Sequence, residues 1–173
     1  MARPGPDAHH SGAPGVTKLL LSLHVLAAII AVGPVTVAAS MFPATLRRAL
    51  GDSADGNARA VLHTLHRICR IYAGVGIAVP LFGFATASSL GVLGDAWLIT
   101  SILLTAAAAA VLTFLILPAQ DRAVAATTGS AAPPSAPAPP SSARLAMATG
   151  IFNLLWATVT VLMIIRPGST TGA

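Results

Sequence analysis

Hydrophobic positions along the chain fall into four long runs that polar segments separate. Each run lacks Asp, Glu, Lys and Arg over about 20 residues, the helical length that crosses the hydrocarbon core of a bilayer. Because lipid offers open backbone groups no hydrogen-bond partner, runs of this length must be helical. The pattern therefore predicts an all-α fold, a polytopic membrane four-helix bundle. Its spans cover about residues 19–42, 71–93, 96–118 and 145–165.

The segments around the four runs have compositions typical of turns, amphipathic extensions and linkers. Ser, Gly and Asp residues between the second and third runs predict a tight hairpin, with Trp97 at the membrane interface. Before the second run, apolar and basic residues recur at helical spacing, which predicts a cytoplasmic extension of that helix. A low-complexity, proline-rich linker of about residues 119–143 follows the third run. Residues 18–166 thus form one transmembrane domain between disordered tails at 1–17 and 167–173.

The composition excludes an ordinary soluble domain. Of the 173 residues, 55% are hydrophobic and only 9% are charged, whereas a soluble protein carries roughly 25% charged residues. The formal net charge of +5 would suggest nucleic-acid binding in a soluble protein. Here the basic residues lie beside apolar runs, so the predicted partner is the lipid bilayer and not nucleic acid. Cys69 is the only cysteine, which excludes an intrachain disulfide.

Basic residues are unevenly divided between the two sides that four spans create. The first and third loops carry seven arginines, and the other side carries three basic residues. Those seven are Arg47, Arg48, Arg59, Arg67, Arg70, Arg122 and Arg144. By the positive-inside rule, loops one and three of this cell-membrane protein are cytoplasmic, and both termini are extracytoplasmic. A signal peptide is the alternative for the first run, but such segments have apolar cores of only about 7–15 residues.

Small residues recur at helical spacing in the second span, as they do in closely packed membrane helices. Packing drives helix association there, because lipid tails remove the hydrophobic driving force. The predicted packing positions are Gly74, Gly76, Ala78, Gly83 and Ala87, with the amide of Asn153 as a polar contact from the fourth span. Contacts within the bundle are the favoured interpretation, and a homo-oligomer interface is the alternative.

His24 is the one ionisable residue within a predicted span. An ionisable group at such a position is a functional hypothesis by default, and an imidazole suits a haem ligand, a copper ligand or a proton-handling site. A haem would need a second ligand at similar depth, and Met163 is the conventional candidate. The competing interpretation is a neutral histidine that is hydrogen-bonded to a hydroxyl or carbonyl of a neighbouring helix.

Two further histidines lie three residues apart in the extension before the second span. His63 and His66 share a helical face, as two metal ligands would, but an H-x-x-H pair alone is a weak metal signal. The favoured interpretation is a basic patch that faces the lipid headgroups, formed with Arg59, Arg67 and Arg70.

The first span also carries a family pattern. A leucine-rich turn from Lys18 precedes His24, Gly33 follows, and two arginines lie after the helix. Over about residues 18–166 this resembles an uncharacterised family of small predicted integral membrane proteins, in the wider group that includes CopD copper-resistance domains and HemJ-type protoporphyrinogen oxidases. The resemblance implies that His24 matches a first-helix histidine that is haem-associated in the HemJ branch. Ala31 stands where that branch usually has tryptophan, so the resemblance is strongest to the branch of unknown function.

The leading functional prediction is a non-enzymatic accessory or interaction subunit, packed against itself or a larger membrane complex. The sequence has no nucleophile–base pair, phosphate-binding loop or membrane-embedded carboxylate that would indicate an enzyme. A haem-binding membrane redox protein that uses His24 is the first alternative. The second is a copper-handling protein or small-solute transporter, which the lack of embedded carboxylates disfavours.

Overall fold

The computed structural model describes residues 14–51, 56–127 and 141–168, and every regular element within these ranges is helical. The helices are α1 (Pro14–Gly51), α2 (Gly56–Val75), α3 (Ala78–Leu90), α4 (Ala96–Ala110), α5 (Leu117–Thr127) and α6 (Ser142–Ile165). A π-helical segment, Val111–Ile116, joins α4 to α5. The greater part of the predicted tails and of the proline-rich linker lies outside the described residues.

Four helical stretches of the described chain are long and apolar enough to cross a membrane. They are Pro14–Gly51, Gly56–Leu90, Ala96–Thr127 and Ser142–Ile165. The second combines α2 with α3, and the third combines α4, the π-helical segment and α5. Many large apolar side chains, such as Ile29, are exposed on the bundle, which suits a surface solvated by lipid. The predicted all-α, four-span fold class is therefore confirmed.

Helices extend further along the chain than the predicted spans. With 38 residues, α1 is about 57 Å long, nearly twice the thickness of a hydrocarbon core. It also begins at Pro14, so the predicted N-terminal tail is too long. The prediction that a linker begins at about residue 119 is wrong, because α5 continues to Thr127. Alanine-rich sequence favours helix there, and Ala119 and Ala123 are buried in the main core.

The second span is interrupted between α2 and α3, at Gly76 and Ile77. Pro80 causes the interruption, because it has no N–H to donate to the Gly76 carbonyl and its ring crowds that oxygen. Two hydrogen bonds of shorter range replace the helical ones. The Ile77 N–H donates to the Gly74 carbonyl at 3.2 Å, and the Val79 N–H donates to the Gly76 carbonyl at 3.1 Å.

A tight hairpin joins α3 to α4, as the sequence predicts. Gly91 ends α3 in the left-handed conformation (φ 70°), and its N–H donates to the Ser88 carbonyl at 3.2 Å. The indole N–H of Trp97 donates to the Asp95 carboxylate at 2.9 Å. The guanidinium of Arg166 lies 5.5 Å from the centre of the Trp97 ring, which fits a cation–π contact. Trp97 therefore joins the hairpin to the end of α6, and it is only 7% exposed.

The main hydrophobic core is built from residues of α1, α2, α4, the π-helical segment, α5 and α6. Its largest fully buried apolar side chains are Phe42, Leu46, Leu62, Ile116, Leu145 and Phe152. A smaller cluster of Ala87, Trp97 and Leu98 lies at the hairpin. Most of the buried apolar contact is thus at the end of the bundle where α1 meets the start of α2.

The two ends of the bundle differ in charge. Arg47 and Arg48 near the end of α1, and Arg67 and Arg70 on α2, are all exposed at one end, which we call the basic end. The hairpin lies at the opposite end, together with Arg166 after α6.

Candidate functional site

His24 projects from α1 onto the backbone of α3. Its Nδ1 lies 3.0 Å from the carbonyl oxygen of Val79. Because a carbonyl oxygen only accepts, Nδ1 must carry the proton and donate, which leaves the lone pair of a neutral imidazole on Nε2. The ring also packs on Gly83, where an added Cβ would lie 3.0 Å from Cε1 and 3.2 Å from Nδ1. Glycine at this position therefore permits the close contact.

Met163, the predicted second ligand for a haem, is half-buried on α6 and packs against the small cluster at the hairpin. That cluster includes Ala87, which lies four residues, about 6 Å, further along α3 than Gly83. The contacts of His24 are thus with the middle of the bundle, and those of Met163 are with its hairpin end.

The predicted packing residues have different surroundings. Gly83 contacts His24, and Ala87 is buried against the hairpin cluster. Gly76 lies in the turn between α2 and α3, next to half-buried Ala78. Gly74 is exposed, and a Cβ there would meet nothing within 4 Å.

Asn153 contributes to a polar connection between α6 and α1. Its Nδ2 donates to Ser40 Oγ at 3.3 Å. One turn earlier on α6, the hydroxyl of Thr149 donates to the Ala39 carbonyl at 3.5 Å. Such contacts tie membrane helices together, although each is worth only about 1 kcal/mol.

One member of the predicted basic patch has a different environment from the rest. His63, Arg67 and Arg70 are exposed and Arg59 is half-buried, whereas His66 is buried. His66 therefore does not fit the prediction that it faces the lipid headgroups. The helical period explains its position. Residues 62, 65, 66 and 69 share the face of α2 that packs into the bundle.

The structure assembles a buried polar cluster around His66 that sequence reasoning missed. Its Nδ1 lies 3.2 Å from Gln120 Oε1, and its Nε2 lies 2.8 Å from Asp121 Oδ1. The amide of Gln120 donates from Nε2 to Cys69 Sγ at 3.6 Å. Gln120 and Cys69 are fully buried, while the side chain of Asp121 is 56% exposed. The cluster thus runs from the surface of α5 into the core between α2 and α5.

Hydrogen-bond chemistry defines two complete arrangements of this cluster. In one of them the amide oxygen points to His66, so both ring nitrogens face oxygen acceptors, which suits a ring that carries a proton on each nitrogen. A 180° rotation of the Gln120 amide gives the second arrangement. Its Nε2 would then donate to a neutral imidazole, and its oxygen would accept from the Cys69 thiol. The two arrangements differ by one proton.

A sequence signal for this cluster existed. His66 and Cys69 are three residues apart among buried apolar positions of α2, which places both on the inward face. Their partners Gln120 and Asp121 lie in the segment for which the sequence pattern predicts a linker, so that pattern places no helix beside α2. Among the described residues, no group of three His, Cys, Asp or Glu side chains is arranged to hold a metal ion.

Comparison with known proteins identifies the family of this chain. Residues 18–167 match the model of the family described as Predicted integral membrane protein (DUF2269). The match covers most of the chain, and the chain belongs to this family. No curated protein and no solved structure matches the chain.

Proposed function

We propose that this DUF2269 protein is a non-enzymatic accessory or interaction subunit of the cell membrane, which engages its partner through the basic end. The observation that carries the proposal is the packed helical layer at that end. There α1, α2 and α5 share a core that includes Leu46, Leu62 and Ala123, while exposed arginines cover the outside. A layer with its own core presents a fixed surface, which favours recognition.

The polar side chains within the bundle support a structural role. His24 donates to Val79, Asn153 donates to Ser40, and His66 pairs with the side chains that follow the π-helical segment. Each of these groups joins two helices. An enzyme active site would instead need such groups to converge on a space that a substrate can enter.

The proposed orientation places the basic end in the cytoplasm. Its support is the positive-inside rule, applied to seven arginines against three basic residues. Single cysteines at exposed Ala143 and exposed Val16 test it with a membrane-impermeant maleimide. Buried Cys69 should stay unlabelled. We expect labelling of Val16→Cys in intact cells and of Ala143→Cys only after permeabilisation, and the reverse pattern would refute the orientation.

Affinity purification from native membranes in mild detergent tests the interaction role. We expect a colourless protein that elutes as a complex, with itself or with a co-purifying subunit. Arg67→Ser and Arg70→Ser should weaken that complex, because they remove charge from the basic end. Lys18→Ser is the matched control, since it removes one exposed charge at the opposite end. A monomeric wild-type protein without a co-purifying subunit would contradict the proposal.

A haem-binding redox protein is the second candidate, and one observation favours it. The Nδ1–H of His24 is bound to a backbone carbonyl, which is how ligating histidines are usually oriented, with Nε2 left for the metal. His24 would thus hold a haem iron through Nε2, while Met163 packs at the hairpin. A relationship to the HemJ and CopD group would agree with this candidate. A stoichiometric Soret band that His24→Gln abolishes would make it primary.

A further inference from the structure

Two interruptions of regular helix lie against the same cavity inside the bundle. One is the turn at Gly76 and Ile77 in the second span, and the other is the π-helical segment in the third. The cavity has a volume of about 300 Å³, and both interruptions contribute to its wall, through Gly76 and Ile77 and through Leu112 and Thr113. The rest of the lining comes from α1, α2, α3, α4 and α6.

This coincidence indicates a binding site. Irregular backbone at membrane depth is tolerated where protein buries it or where it lines a cavity. Interrupted helices form the substrate sites of many membrane transporters, and single π-helical turns are frequent at functional sites. Here two spans that follow each other in the chain depart from regular helix at one cavity.

The cavity lies near the middle of the membrane. Thr105 in its wall is ten residues after Asp95 at the hairpin, a helical rise of about 15 Å. Trp156 in its wall is ten residues before Arg166, again about 15 Å. Both distances are half of the hydrocarbon thickness, so the surrounding medium is acyl chain. Ile77 is 64% exposed and Thr113 is exposed, so the rim opens on the lipid-facing surface.

The side chains that line the cavity indicate which class of ligand it can bind. The surface is mainly apolar, with side chains of Tyr72, Phe152 and Trp156, and the described residues that line it include no Asp, Glu, Lys, Arg or His. One polar group of a lining residue stands out, because the indole Nε1 of Trp156 is buried without an acceptor among the described residues. A buried donor without an acceptor is costly, and a ligand carbonyl would supply that acceptor.

We propose that this cavity binds one apolar molecule that enters from the bilayer and carries a carbonyl oxygen for the indole N–H of Trp156. At about 300 Å³ the cavity is at the lower end of small-molecule sites. It holds one chain segment or one ring system. This site is separate from the basic end and goes beyond the interaction role proposed above.

Tryptophan fluorescence tests the site. The chain has two tryptophans, so Trp97→Phe leaves Trp156 as the only reporter. The probe is a dibrominated fatty-acid methyl ester, whose bromines quench tryptophan on contact, added to the protein in detergent. The comparison probe is the dibrominated alkane of the same length, which lacks the carbonyl. We expect quenching that saturates at one ester per chain, with the alkane bound about fivefold more weakly because it makes no hydrogen bond.

Matched variants locate the binding. Ala109→Phe and Thr113→Phe fill the cavity and should weaken ester binding at least tenfold, whereas Ala107→Phe adds the same ring outside it. Native mass spectrometry of the wild-type chain provides a second measurement if Trp97→Phe does not fold. Quenching that rises without saturation, or that Ala109→Phe leaves unchanged, would refute the site. Equal affinity for ester and alkane would refute the role of the indole N–H.

Discussion

Replacing Gln120 by methionine tests whether the polar cluster around His66 stabilises the fold. Gln120 is fully buried and connects His66 to Cys69. Methionine has a similar length and no hydrogen-bonding amide, so Gln120→Met leaves Nδ1 of His66 without its partner. The imidazole side chain is only 11% exposed, so water can hardly replace the amide. We expect a loss of about 1–3 kcal/mol in the free energy of unfolding, the usual cost of a buried group left unpaired.

The reciprocal change is His66→Phe, which leaves the Gln120 oxygen unpaired at a similar cost. Asp121 adds little to that cost, because its side chain is 56% exposed and keeps water as a partner. The double variant removes both polar partners and should lose much less than the sum of the single losses. We therefore expect a coupling energy of at least about 1 kcal/mol between the two positions.

Unfolding in detergent with increasing denaturant gives the four free energies of this cycle. Single losses that add within about 0.5 kcal/mol would show that the two side chains are not coupled, and would refute the reasoning. The S–H stretching band provides an independent readout, because Cys69 is the only thiol of the chain. Gln120→Met removes the amide that contacts Cys69 Sγ and should therefore shift this band, whereas two uncoupled side chains would leave it unchanged.

Two further predictions concern glycines. Gly83→Ala should cost about 1–3 kcal/mol, because the added Cβ would lie 3.0 Å from Cε1 of His24, and adding His24→Ala should restore part of the thermal stability. Gly76→Ala should lower the melting temperature, because its Cβ would lie 3.1 Å from the Ala73 carbonyl oxygen in the turn. Gly74→Ala is the control, with nothing within 4 Å, and should leave the melting temperature unchanged or raise it.

The spans and the hairpin could be predicted because their signals are local. Hydrophobic length defines a membrane helix, and Gly91 supplies the conformation that ends α3. The interruption at Gly76 had a local signal too, namely Pro80 four residues later. The small residues nearby mask that signal, because their spacing also predicts a packing face. The π-helical segment has no comparable signal in Val111–Ile116, since its apolar residues are equally compatible with α-helix.

The error at α5 has a different physical origin. Prolines further along the chain predict a linker over the whole segment from residue 119. Residues 119–127 contain no proline, and four of them are alanine, which has the highest helix propensity. Ala119 and Ala123 lie one turn apart and are buried in the main core, so packing adds to that propensity. Composition averaged over a long window concealed this short helix.

The two buried histidines show why a site in this bundle cannot be derived from sequence patterns alone. Each is visible in the sequence, but its acceptor is 55 residues away for His24 and 54 residues away for His66. The surroundings of the two rings also differ. His24 lies among apolar spans and donates from Nδ1 to a backbone carbonyl. His66 lies at the basic end, where its Nε2 is 2.8 Å from the carboxylate of exposed Asp121. The same side chain thus joins two helices within the membrane in one case and contacts a solvated carboxylate at the membrane edge in the other.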